Sequence, residues 1–271
     1  MEPFAAFSFV DRITELVPGR LVRGSFTVPE NLAHFSPALV AEAVGQLAAW
    51  AAMALANFQK RPVAALAGDI RVTGAASPGC RLDLSAEIEE RDRDSILYGG
   101  WAQVGAARII ELRQCLGPML PMEDFDAPAA VRRHFDTLRG AGARAGRFGG
   151  VPEPQITIVE HVAGQRVRAT LHVPASAPFF ADHFPRRPVY PATLLLDAQT
   201  RLAAVLARDI LNHAVTVHRA AGVKLRSFVS PGDVLEIGAD TVSHGGSTVR
   251  LGVSAALNSK RVATARVEMG P

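Results

Sequence analysis

VPGRLVRGSFTVP, Val17 to Pro29, is answered later in the chain by VAGQRVRATLHVP, Val162 to Pro174. Val17, Gly19, Arg23, Val28 and Pro29 match Val162, Gly164, Arg168, Val173 and Pro174 at one constant offset. A fixed offset kept across a stretch indicates that a whole unit occurs twice. Each copy alternates in the manner of a strand and stops at a proline, which cannot donate to a sheet ladder.

Working outward, each copy leads to a long apolar helix, Pro37 to about Phe58 in the first half and Ala192 to about Asn212 in the second. Both helices carry a carboxylate in their early turns, Glu42 and Asp197. Beyond each come a strand, a Ser-Pro-Gly turn (Ser77 to Gly79, Ser230 to Gly232) and further alternating segments. These are Leu82–Glu89, Ile96–Val104 and Arg108–Gln114, then Val234–Val242, Thr248–Ala256 and Arg261–Met269. Helix and strands fall in separate runs, so the class is α+β. A helix apolar nearly all round must be buried, here wrapped by its sheet. The expectation is two antiparallel sheets, each around a long central helix, related by a pseudo-twofold. The units are 1–125 and 155–271, with a linker over 126–154. In that linker Ala127 to Leu138 predicts a short helix after an Asp126 cap, ending near Gly140, and Gly140 to Gly150 predicts a flexible or irregular connection.

Composition narrows the classes. The chain has 271 residues, 48% apolar residues and a net charge of +3. Cys80 and Cys115 stand apart, with no ligand spacing, and read as strand residues; no disulfide framework follows. His161, His172, His213, His218 and His244 have no metal-ligand spacing either, so no metal is expected. Glu2 and the lack of a basic n-region make a poor leader, and a cytoplasmic protein is expected. Glu42, Gly45 and Gln46 interrupt the longest apolar run, so it predicts a buried helix and no membrane span. No basic run is interleaved with aromatics, which argues against nucleic acid.

The second half holds the chemistry-bearing stretch, PASAPFFADHFPRRPVYPATLLLDAQTR, Pro174 to Arg201. A histidine flanked by prolines, followed by a helix with one carboxylate, is more than a core helix needs. His183-Phe184-Pro185, Pro188-Val189, Pro191-Ala192 and Asp197, fourteen residues after the histidine, resemble the active-site signature of the 3-hydroxyacyl-acyl-carrier-protein dehydratases of the hot-dog superfamily. Phe179-Phe180-Ala181-Asp182 is similar to that family's Phe-Phe-x-Gly. Phe9 to Arg12 and Glu42 to Gln46 resemble its opening and its helix.

The resemblance implies a site shared between two hot dogs, with histidine from one and carboxylate from the other. The halves depart from the pattern in complementary ways. After Asp197 the family's glutamine is Arg201, whereas Glu42 keeps Gln46 four residues on, on the same helix face. The first half's loop is short: Pro29 to Glu42 spans 13 positions and Pro174 to Asp197 spans 23. Pro37 stands where the second half has Ala192 and offers no N–H. One working site per chain is therefore expected, from His183 and Glu42. His34 and Asp197 form a degenerate second one, Asp197 pairing instead with Arg201.

The roles implied are His183 as general base, Glu42 as the acid for the departing hydroxyl and Gln46 orienting the carboxyl or the leaving water. The Ala192 N–H stabilises the thioester oxygen at a helix N-terminus. Phe180, Pro188, Val189 and Pro191 are the expected substrate contacts. The reading is a dehydratase that turns a 3-hydroxyacyl thioester into a 2-enoyl thioester, without cofactor, in fatty-acid, polyunsaturated-lipid or polyketide biosynthesis. The resemblance implies an acyl chain carried by the phosphopantetheine arm of an acidic acyl carrier protein. Arg186, Arg187, Lys224 and Arg226 are candidates to meet that carrier. The rivals are a hot-dog thioesterase and a non-catalytic carrier-binding protein. Two hot dogs already make the minimal unit, and further self-association stays open.

Overall fold

The computed structural model describes residues 4–92 and 94–271; Glu2, which bears on the leader, lies outside them. In the first half β1 (Arg12–Val17) and β2 (Leu21–Thr27) precede α1 (Pro37–Leu55). Then come β3 (Lys60–Pro62), β4 (Leu66–Val72), β5 (Arg81–Arg91), β6 (Ser95–Val104) and β7 (Ala107–Pro121). After α2 (Pro128–Arg139) the plan repeats with β8 (Gln155–Val162), β9 (Arg166–His172) and α3 (Ala192–Leu211), followed by β10 (Thr216–Leu225), β11 (Val234–Gly245), β12 (Thr248–Leu257) and β13 (Lys260–Gly270). The repeated motif proves to be half of a hairpin in each copy. Its matched glycines, Gly19 and Gly164, sit in the β1–β2 and β8–β9 turns at φ 70° and 67°, a region costly for other residues.

The expectation of two separate sheets needs correction. Among the described residues, twelve strands follow one antiparallel path, β1-β2-β5-β6-β7-β4-β10-β13-β12-β11-β9-β8, and β3 pairs with β7. β4 and β10 join the halves, from Arg71 opposite Arg219 to Leu66 opposite Lys224. Both strands would otherwise be edges with unpaired backbone groups, and pairing removes two such edges. Each helix still packs on its own half's strands, α1 on β2, β5, β6 and β7, and α3 on β9, β11, β12 and β13, and the two helices touch.

α1 starts where Ser36 caps the Leu39 N–H (3.4 Å) with Pro37 in the first turn. It is long and apolar enough to cross a membrane, yet 67% of that window is buried inside the fold. Gly100 on β6 lets it lie close, since a Cβ there would come within 2.6 Å of the Val44 side chain. Leu47 is fully buried against this sheet. α3 has no side-chain cap at Pro191 and ends at Asn212 in the left-handed region.

The linker also differs from its reading. Asp126 does not cap α2; the N-cap is Ala127 and has no side-chain bond. Asp126 Oδ2 instead lies 4.0 Å from Arg61 Nη1. Val131, Phe135 and Leu138 of α2 are buried in the main core, and α2 packs on β1. The Gly-rich connection is irregular but packed: Ala143 donates to the Asp11 carbonyl (2.7 Å), and Phe148 is buried against Phe9 and Phe35.

Candidate active site

α1, the start of α3 and the His183 loop converge on a cavity of about 220 Å³. Its walls include Glu42, Gln46, His183, Val189, Ala192 and Thr193. The Glu42 carboxylate bridges the halves. Oε2 accepts from the Thr193 hydroxyl (2.7 Å) at the start of α3, and Oε1 accepts from Gln46 Nε2 (2.9 Å). A hydroxyl can donate to a carboxylate or accept from a carboxylic acid, so Thr193 suits either state of Glu42.

His183 Nδ1 lies 2.8 Å from the Val189 carbonyl. That acceptor requires a proton on Nδ1, which in a neutral ring leaves Nε2 as the free base. Burial holds the imidazole below its ordinary value, opposed by the nearby Glu42 charge. The ring stacks on Phe184 (4.1 Å) and meets Phe7 edge-on (5.6 Å). Ala192 is the first residue of α3 and does not adopt a positive φ, so alanine sits there without strain. Its N–H belongs to the first turn, where helices leave donors unpaired.

Gln46 is more heavily engaged than its pattern suggested. Besides Glu42, its Nε2 donates to the Phe7 carbonyl (3.0 Å) and its Oε1 accepts from the Phe9 N–H (2.9 Å). Its amide therefore positions the carboxylate and the N-terminal segment together. Of the four expected substrate contacts Val189 lines the cavity, and Phe180, Pro188 and Pro191 do not. Phe180 is buried on Phe179 (4.5 Å), Pro188 is exposed, and Pro191 is buried at the lead into α3.

The degenerate pair is not brought together at this cavity. His34 is exposed. Asp197 is tied to Arg201 (2.8 Å), and Arg201 also reaches Glu153 of the linker (2.5 Å).

Thr193, Arg61, Tyr98 and Asp182 are among the wall residues to which the sequence reading gave no role. Arg61 lines the cavity with its guanidinium carbon 3.9 Å from the Phe184 ring centre, and its Nε and Nη1 are buried without hydrogen-bond partners. Burial brings its pKa down to about 10, opposed by Asp126 and Glu42. A lone arginine shortly after a helix usually faces solvent, so the sequence carried no signal for it. Tyr98 is a wall residue whose phenol is pushed well up by burial, with smaller contributions from Cys115 and Glu42. Asp182 also lines the cavity, and its visible signal was the departure from glycine.

A family model described as ApeI-like, ApeI dehydratase, matches residues 159–261. A 3-hydroxyacyl-[acyl-carrier-protein] dehydratase FabZ from Paracidovorax citrulli is 31% identical over 40% of this chain and 83% of its own length. The FabZ of Myxococcus xanthus is 32% identical over 39% of this chain and 72% of its own. The chain belongs to the hot-dog dehydratase family. The unequal coverage is what one unit matching half of a duplicated chain produces.

Among solved structures, an acyl-ACP thioesterase from Bacteroides thetaiotaomicron aligns with a TM-score of 0.57 at 13% identity, covering 92% of this chain and 97% of its own. A Lactobacillus plantarum protein described as an oleoyl thioesterase gives 0.62 at 10%, covering 94% and 98%. At such identities the likeness establishes the hot-dog fold over the chain and says nothing about its reaction.

Proposed function

We propose that the chain dehydrates a 3-hydroxyacyl thioester held on an acyl carrier protein to the 2-enoyl thioester, in fatty-acid biosynthesis. The observation that carries this is the Glu42–Thr193 bond. It sets a first-half carboxyl beside the open first turn of α3, in the cavity that His183 lines. His183 Nε2 removes the α-proton, and the electron pair forms the Cα–Cβ double bond. The Cβ–O bond breaks, and the hydroxyl takes a proton from Glu42 and leaves as water. The Ala192 N–H and the helix dipole stabilise negative charge on the thioester oxygen. A half-buried neutral imidazole suits the base role at neutral pH.

Two exposed wall residues, Ala64 and Ser227, mark the mouth of the cavity. They are close because Leu225 N donates to the Ala65 carbonyl (2.8 Å), at the seam of the halves. Arg186, Arg187, Lys224 and Arg226 are exposed around this seam and the His183 loop, and they suit an acidic carrier. The domains act as one catalytic unit, with Asp197 held in an ion pair and His34 at the surface, neither taking part in the reaction.

The test is water loss from 3-hydroxyacyl-carrier substrates by the wild type, Glu42→Gln and Asp197→Asn. Loss of activity in the Glu42 variant alone supports the reading. A severe Asp197 effect overturns the site assignment. Release of free thiol without enoyl product identifies a thioesterase instead.

A further inference from the structure

The cavity follows one face of α1 inward from the site. Glu42, Gly45, Gln46, Ala49, Trp50 and Met53 line it at helical spacing, from Glu42 to Met53 a rise of about 16 Å. The mouth is at Ala64 and Ser227, whereas Trp50, Met53 and Val131 are each under a tenth exposed and form an apolar closed end. The remaining piece of that end is Phe4, whose ring lies 6.1 Å from Trp50 and stacks at 4.2 Å on His134 of α2.

Phe4 belongs to a segment that no strand or helix holds. It is held instead by one carboxylate. Asp182 Oδ1 accepts from Phe4 N (2.7 Å), and Oδ2 accepts from Ala6 N (2.7 Å) and Phe7 N (2.9 Å). Gln46 takes the next stretch through Phe7 and Phe9. Charge-assisted bonds of this kind are the stronger ones, and they keep Phe4 at φ 58°, unusual for a bulky residue. A glycine at 182 would have no side chain to make them.

We infer that Phe4, at the head of the segment pinned by Asp182, is the end wall of the acyl channel and sets the longest hydrocarbon chain that fits. This rests on the proposed acyl-thioester function. The wall offers apolar aromatic and aliphatic surface at the closed end, which suits an unsubstituted alkyl terminus.

The test uses the full chain and saturated acyl-pantetheine thioesters of increasing length, with binding measured calorimetrically, and turnover of the matching 3-hydroxyacyl thioesters. Wild type should show a sharp upper length limit. Phe4→Ala should raise that limit by roughly two to four carbons and improve the longest-to-shortest affinity ratio roughly tenfold or more. Asp182→Asn, which keeps the ring but weakens the pin, should shift the limit in the same direction and by less, and it carries the test if Phe4→Ala does not fold. An unchanged limit in the folded variants, or one uniform loss at every length, overturns the inference. Length-limited binding without dehydration by wild type would overturn the proposed reaction and leave the wall standing.

Discussion

His34-Phe35 of the first half and His183-Phe184 of the second have opposite fates. Phe184, after His183, faces the cavity and Arg61. Phe35, after His34, is buried under Phe148 of the linker, and His34 points into solvent. The helix starts differ in the same sense. α3 opens uncapped on the cavity, while α1 is closed by the Ser36 hydroxyl and a proline. The carboxylates follow: Glu42 takes two neutral donors, and Asp197 is neutralised by Arg201. Free donors and a neutral histidine can do chemistry. An ion pair and a capped helix are commitments to stability. Duplication within one chain lets the two roles separate.

The comparison can be broken most directly at the bases and acids. His183→Ala and Glu42→Gln should each lower kcat by roughly 10²–10⁴-fold, with Asp197→Asn within about threefold of wild type, in a carrier-substrate dehydration assay. Equal losses at Glu42 and Asp197 would mean two working sites.

The pH profile tests the same asymmetry. Burial lowers the His183 pKa, so the base stays competent below the ordinary imidazole value and activity is lost only as pH falls through the depressed one. The acid limb of kcat/KM should therefore have its midpoint below 6.5. A midpoint above that value would contradict a neutral base.

The linker sharpens the contrast, because α2 packs on β1 of the first half. His134 on α2 is held down to about 4, by burial first and then by Arg147. The unfolded chain protonates it near 6.5, so its contribution is present above 6.5 and is lost as pH falls from there to about 4. Relative to His134→Phe, wild type should lose roughly 1–3 kcal/mol of stability across that window in denaturant titrations. A constant difference would show that the ring is not buried neutral.

The smallest effect is expected at the α1 cap. Ser36→Ala should cost about 1 kcal/mol of stability, read as a lower unfolding midpoint. The cavity's own helix start has no side-chain cap to lose. A large activity loss on Ser36→Ala would place α1's N-terminus in the reaction after all.

Much of this was legible in order along the chain. Both long helices, the repeated hairpin strands and the pairing of Glu42 with Gln46 leave periodic or short-range signals, because a helix face or a strand alternation is written in neighbouring residues. Strand β7 ran beyond its reading, to Pro121, and carries the chain to Phe125, which supports Phe184 at 5.2 Å. Nothing periodic announces such an extension.

The sequence by itself determined a duplicated α+β chain, its two central helices and a histidine loop whose expected acid and amide partners, Glu42 and Gln46, lie in the other half. Only the tertiary structure decided that β4 and β10 fuse the halves into one sheet, that Arg61 and Tyr98 face the cavity, and that Asp182 holds the N-terminal segment across it. The first group rests on interactions a few residues apart, repeated at a fixed period. The second joins residues more than a hundred positions apart or turns single side chains inward, and burial and hydrogen bonding choose those partners only once the chain has folded.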